Sequence, residues 1–435
     1  MVVEIRLLKC YNITIIKNAI LTNNLHFLTI TKTKNCLNFA MKGESKMTMI
    51  ADEVNKIEDK LIEIREHFHK YPELSFQEVE TSKKIAEILQ ELKLDEVHTG
   101  IAKTGVIGVL RGNESGKTLA IRADIDALPI QEENDVPYKS QNNGVMHACG
   151  HDAHITTSIG TAMILSKMRD KIKGNIKFIF QPAEEIGGGA KLMVDEGVME
   201  NVDAIVGLHV WTGLDVGTIG IKAGPDMASA YRFEISVKSL GGHGAMPHLT
   251  ADPIVASAQI INALQTIASR SIDPLKPIVL SICKIEGGSA FNIIPSEVRM
   301  EGTLRTLEDE VSTKALDKIN QILNGVAQTM GVECKFNCDD LFPALSNDPS
   351  VVELIKKAGV AILGSDKVLD AEPSMGSEDF SFFAKKVPGA MLRLGVADKE
   401  KGITSPVHRA TFDINPKALS IGVTVMSQVA LMYLG

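Results

Sequence analysis

Apolar residues recur at Val54, Ile57, Leu61, Ile64 and Phe68, in alternating steps of three and four that put them on one side of a helix. The pattern predicts an amphipathic helix ending near Tyr71, because Pro72 disfavours helical backbone in the residue before it. A second helical period covers 78–92. Short apolar runs follow at 106–110, 118–123, 176–180 and 204–208, typical of buried strands. Helical patterns at 153–168 and 189–199 lie among them. Strands alternating with helices predict an α/β domain with a mostly parallel sheet and helices on both faces.

After Gly224-Pro225 the pattern changes. Phe233, Ile235 and Val237 alternate with Arg232, Glu234 and Ser236, the period of a half-exposed antiparallel strand. A helix at 252–270, strands at 278–285 and 297–305, a helix at 308–329 and a strand at 332–337 complete a β-α-β-β-α-β order. That order predicts a small α+β domain with an antiparallel sheet. Beyond about residue 340 the first pattern resumes, with a strand at 390–396. The expected organisation is a catalytic domain in two parts, 47–225 and 339–435, interrupted by a lid domain at 226–338. Residues 1–46 show no sustained period and read as a poorly structured extension.

Composition narrows the functional classes. The chain has 435 residues, too many for one compact core, and a net charge of −8. That charge disfavours nucleic acid, whose phosphates call for a basic face. No uninterrupted apolar run of spanning length stands out, so no membrane span is expected. The extension is basic, with seven Lys/Arg against Glu4 and Glu44. It carries no secretory cleavage pattern, and Arg6 is its only arginine, which is sparse for a transit peptide. Cys10, Cys36, Cys149, Cys283, Cys334 and Cys338 show no repeated paired spacing, and a reducing cytoplasm is the expected compartment.

The candidate chemistry sits at strand ends and in loops. In Val145-Met146-His147-Ala148-Cys149-Gly150-His151-Asp152-Ala153-His154, Cys149 and His151 stand two apart around a glycine, a spacing that lets a thiolate and an imidazole meet one transition metal. Asp124 and Asp126 follow a buried strand, where ligands gather in open α/β sheets, although capping of the next segment explains them equally well. Glu184 and Glu185 also follow a strand and precede Gly187-Gly188-Gly189, whereas adjacent glutamates are commonly a solvated pair. His209 ends a third apolar run, and His408 stands alone near the C-terminus. Each is individually more typical of a satisfied histidine, and only their joint placement points to a metal. His67, His69, His98, His147 and His154 receive no role.

These phrases, with Gly241–His248, Phe291–Pro295 and Met375–Phe380 in numbers 241–248, 291–295 and 375–380, resemble the dinuclear metallohydrolase superfamily of aminoacylases and carboxypeptidases. The N-acyl-amino-acid amidohydrolase branch is the most similar, and the likeness runs from about residue 52 to the C-terminus. The resemblance implies two divalent cations per subunit, manganese or zinc, with cobalt or nickel as alternatives, held by Cys149, His151, Glu185, His209 and His408. It implies Glu184 as general base for a metal-activated water, Asp126 orienting a ligand, and His243 steadying the oxyanion from a partner subunit. Asn292 and Arg305 would grip a small N-acyl amino acid or short peptide, and the lid would join a homodimer. Other branches carry an aspartate in the Cys149 role and a histidine near the Asp124 position. A carboxypeptidase or dipeptidase is the rival enzyme, and an inactive small-molecule-binding homologue the rival of another class.

Overall fold

Eight strands share one sheet in the computed structural model, which describes residues 49–435. The extension expected over 1–46 lies outside the described residues. Lys173–Gln181, Glu114–Asp124, Ala204–Asp215 and Gly389–Ala397 run parallel to one another at the centre. Gly105–Arg111 and then Glu96–Ile101 add antiparallel strands on one side. On the other side Ile219–Gly220 pairs antiparallel with Gly389–Ala397 and parallel with Val368–Leu369. The central runs are mostly apolar because helices cover both faces, leaving Ile176, Phe178, Ile179 and Phe180 without exposed surface.

Glu58–Lys70, His151–Ser166 and Lys417–Leu434 pack together, the last two also against the central strands. Gly189–Asp195 and Phe380–Ala384 contribute to the opposite layer, with Ala190, Met193, Phe380 and Phe383 in its core. The first predicted helix is divided: helical residues 49–55 are separated from Glu58–Lys70 by a turn at 56–57. Ile57 stays buried through the break, so the apolar period carries across it unchanged. One described helix meets the length and composition of a span without being an uninterrupted apolar run. Lys417–Leu434 is long and apolar enough by length and composition, but 61% of it is buried inside the fold. Its apolar character reflects packing on several sides.

A separate four-stranded antiparallel sheet has the order Ile278–Gly287, Glu297–Thr306, Ala230–Lys238, Glu333–Phe342. Phe233, Ile235 and Val237 face its core, with Ile260 and Leu264 of Pro253–Thr266 and Ala315 and Ile319 of Asp309–Met330. Asp252 starts the first of these helices by accepting from the backbone N–H of Ile254 and Val255. That helix ends at Thr266 and passes into a wider turn at Ile267–Ser271, where the sequence period predicts one continuous helix to 270.

Candidate metal centre

The strand register collects the chemistry at one level. Asp124 pairs with Gln181, and Arg122 pairs with Gly207, so His209 lies level with Asp124 two residues further on. His209 is inside the strand Ala204–Asp215, which runs well past the end expected at 208. The loop carrying Cys149 approaches this edge through Gly150, whose φ of +83° is left-handed. A Cβ there would stand 2.4 Å from Val210 Cγ2, so glycine is required both for the turn and for the close approach. His151 then opens the helix His151–Ser166, two residues before its predicted start.

Cys149, His151 and His209 place one ligand atom each within 4.8 Å of one another, and so do Cys149, Glu185 and His408. Cys149 is common to both sets. His151 Nδ1–H donates to the Asp126 carbonyl at 2.8 Å, and His209 Nδ1–H donates to the Val210 carbonyl at 2.7 Å. A carbonyl can only accept, so both rings turn Nε2 toward the shared space. His209 Nε2 is 3.5 Å from Cys149 Sγ. His408 Nε2 lies 3.5 Å from Glu185 Oε2 at the exposed rim, with its backbone in the left-handed region at φ 63° and its N–H donating to Ala148 O.

Electrostatics favour a cation at this point. Burial and the neighbouring Glu185 push the Cys149 thiol well above its ordinary value. Burial, Glu378, Asp379 and Glu185 do the same to the Glu184 carboxyl. Burial holds His209 neutral, down to about 3. Burial opposes charge on His151 as well, but Asp124 and Cys149 outweigh it and raise that ring. A proton on His151 thus meets a demand for positive charge that a divalent cation meets better.

Asp126 ties these parts together. Its carboxylate accepts from the backbone N–H of Glu184 and of Glu185, each at 3.1 Å, and from the Ser75 hydroxyl at 2.7 Å. The glutamate turn depends on Ala183 at φ 52°, whose N–H donates to Glu78 Oε1 at 2.9 Å. One aspartate therefore orients His151 through its carbonyl and both glutamates through its side chain. Glu184 also comes within 4.8 Å of Glu378 and Asp379.

Two elements of this layer have no role in the sequence reading. His154 accepts from Val210 N–H at Nε2, so its proton lies on Nδ1 and is donated to Asp124 Oδ1 at 2.5 Å. Arg122, fully buried, donates to Gln181 Oε1 at 2.7 Å, Asp124 Oδ2 at 2.7 Å and Asp379 Oδ1 at 2.9 Å, and meets Glu378 Oε1 at 2.9 Å. The signal was an arginine inside an apolar strand, which needs several carboxylates to be tolerated there. His154 offered no comparable signal, because its meaning depends on the level of Val210 relative to Asp124.

His243, Asn292 and Arg305 belong to the segment expected to form a lid, and His243 is in neither of the two ligand sets. His243 is exposed on the short strand Gly242–His243, its Nδ1 accepting from Ala245 N–H at 3.1 Å. Asn292 is exposed beside it, just before Ile293–Ile294, the strand that pairs with Gly242–His243. Arg305 is half-buried and donates to Ser377 Oγ at 2.8 Å and to the Met375 carbonyl at 3.3 Å. That contact brings the strand Glu297–Thr306 to the Gly376-Ser377 loop.

The donor set fits divalent metal. Among the described residues His151 Nε2 and Glu185 Oε1 are buried without a hydrogen-bond partner, and both point into the space the two ligand sets enclose. Unsatisfied donors or acceptors at such depth are costly unless a ligand meets them.

Comparison with known proteins agrees with this chemistry. The family model for Peptidase family M20/M25/M40 matches residues 120–432. Thermostable carboxypeptidase 2 of Saccharolobus solfataricus is 42% identical over 389 residues, covering 88% of this chain and 98% of that protein. N-acetylcysteine deacetylase of Bacillus subtilis is 42% identical over 375 residues, covering 86% and 97%. The crystal structure of the Bacillus subtilis YXEP protein, called a dinuclear metal binding peptidase from the M20 family, aligns with a TM-score of 0.78 at 39% identity, covering 87% of this chain and 99% of that one.

Proposed function

Because the chain belongs to peptidase family M20/M25/M40 and is a hydrolase of amide bonds, we propose that it cleaves N-acyl amino acids between the acyl carbonyl and the amino nitrogen. The observation that carries this reading is the position of Cys149 in two ligand sets beside the buried carboxyl of Glu184. One cation would be held by Cys149, His151 and His209, and the other by Cys149, Glu185 and His408. Thiolate and imidazole suit zinc, while the carboxylate of Glu185 also accommodates manganese. When bound, two such ions polarise an amide carbonyl and make a water acidic enough to attack at neutral pH.

The remaining work falls to side chains. Glu184 takes the proton from the attacking water and returns it to the nitrogen as the C–N bond breaks, a base-then-acid role. Its high proton affinity suits the second half of that cycle, and cations nearby ease the first. Asp126 fixes Glu184 through the backbone N–H at 3.1 Å and so keeps the shuttle at one distance from the ligands. His243, exposed on the lid, would supply a hydrogen bond to the developing oxyanion of a partner subunit in a homodimer. Arg305 and Asn292 would hold the amino acid's carboxylate, for which a guanidinium offers two parallel donors. The free thiols among the described residues suit a reducing compartment such as the cytoplasm.

Carboxypeptidase or dipeptidase activity is the competing use of the same centre. A dipeptide's free ammonium needs an acidic anchor, yet Asp124, Glu378 and Asp379 are engaged by Arg122. The expected result with metal-loaded protein is a kcat/KM at least about 10-fold higher for N-acetyl or N-benzoyl amino acids than for dipeptides, a difference of about 1.4 kcal/mol. The reverse order would replace the acyl reading with the peptidase one.

A further inference from the structure

Arg65 projects from the helix Glu58–Lys70 and is 2% exposed. Its Nε–H donates to Asp152 Oδ2 at 2.7 Å, and its Nη2–H donates to Asp413 Oδ1 at 2.9 Å. Asp152 follows His151 directly on its helix, and Asp413 lies five residues after His408 in the same loop. The Tyr138 hydroxyl donates to the other Asp413 oxygen at 2.8 Å, with Arg65 5.0 Å above its ring.

Further bonds make this bridge part of a closed network. Glu133 N–H donates to the Ala410 carbonyl at 2.9 Å, and Asn134 Nδ2 donates to the Phe412 carbonyl at 2.9 Å. Asn134 also donates to Glu132 Oε1 at 3.1 Å, and that same oxygen meets His69 Nε2 at 3.2 Å. His69 Nδ1 returns to Asp152 Oδ2 at 2.8 Å. Arg65 is the member that reaches both carboxylates, one behind each of two proposed ligand histidines.

We propose that Arg65 is a positioning residue of the metal centre, bridging Asp152 and Asp413 so that His151 and His408 keep one spacing. The proposal rests on the two-cation reading above. His151 and His408 belong to different ligand sets, which meet at Cys149 and at Glu185, 3.8 Å from His151 Nε2 and 3.5 Å from His408 Nε2. Cys149 and Glu185 stand on the ligand side of the two rings, and Arg65 ties together the chain segments behind them. A guanidinium suits the task because its rigid fork addresses two carboxylates in set directions, whereas a lysine ammonium is a single point charge on a flexible stem. The bridge touches no ligand atom, so its loss loosens the centre without removing a donor.

The test is titration of metal-free wild type, Arg65→Lys and Asp413→Asn with Co²⁺, followed by calorimetry and by the visible absorption of bound cobalt. Wild type is expected to bind two equivalents. Each folded variant is expected to bind the second equivalent at least about 10-fold more weakly, with an altered cobalt spectrum, the scale typical of lost support behind a ligand. At saturating Co²⁺ the loss should fall on kcat rather than KM, a division that a purely structural role would not produce. Wild-type affinity and spectrum in either folded variant would overturn the proposal. Should Arg65→Lys fail to fold, Asp413→Asn decides, since that side chain is 18% exposed and loses only its charge. Fewer than two equivalents on wild type would overturn the two-cation reading itself, and this proposal with it.

Discussion

Glu184→Gln is expected to lower the turnover of an N-acyl amino acid by about 100- to 10,000-fold, the usual contribution of a positioned proton carrier. The amide keeps the shape of the side chain and cannot accept the water's proton. Glu184 also lies within 4.8 Å of His151 and Glu185, but the two ligand sets that share Cys149 are complete without it, so the variant should retain its full metal content. The backbone N–H of residue 184 would still be held by Asp126, leaving the turn in place. Metal analysis beside steady-state kinetics checks both halves. A variant that loses metal along with activity would make Glu184 a ligand, and one that keeps its activity would remove the proton-carrier role.

Cys149→Ala is expected to reduce affinity for both cations by about 100-fold or more, because its sulfur is the one atom common to both ligand sets. His408→Ala, by contrast, removes a donor from one set and should spare the other cation. The contrast between the two variants is the informative result. Dialysis of each against a graded chelator, followed by metal counting, should give near-zero occupancy for Cys149→Ala and one retained ion for His408→Ala. Equal losses would mean that Cys149 serves only one ion.

The architecture was readable where burial fixes residue choice. Ile176, Phe178 and Phe180 line one face of a strand and Ile179 the other, the mark of cover on both sides, whereas Phe233, Ile235 and Val237 alternate with polar residues on a strand covered on one. Helix ends were less legible: Ile57 keeps the apolar period across a turn, and Ile267 carries it past the end of an α-helix. The C-terminal helix was not delimited from the sequence. Ser420, Thr424 and Ser427 interrupt its apolar run in sequence, while their spacing still leaves the window apolar enough to span.

The site divides along the same lines. Cys149, His151, Glu184, Glu185 and His209 were visible because metal-ligating types stand at the ends of neighbouring strands or in loops beside them. His154 and Arg122 were not assigned, since their roles depend on cross-strand register: Arg122 opposite Gly207, and Asp124 level with His209. His69 and Arg65 were invisible for a longer-range reason. Their partners Asp152 and Asp413 come from distant parts of the chain, and no local pattern records that meeting.

The central claim is that hydrolysis needs two cations sharing Cys149. Its most direct test is a titration of metal-free protein with Mn²⁺ while following release of free amino acid from an N-acetyl amino acid. The rate is expected to rise until two equivalents per chain are bound and then to plateau. A plateau at one equivalent, or no hydrolysis at full loading, would contradict the account.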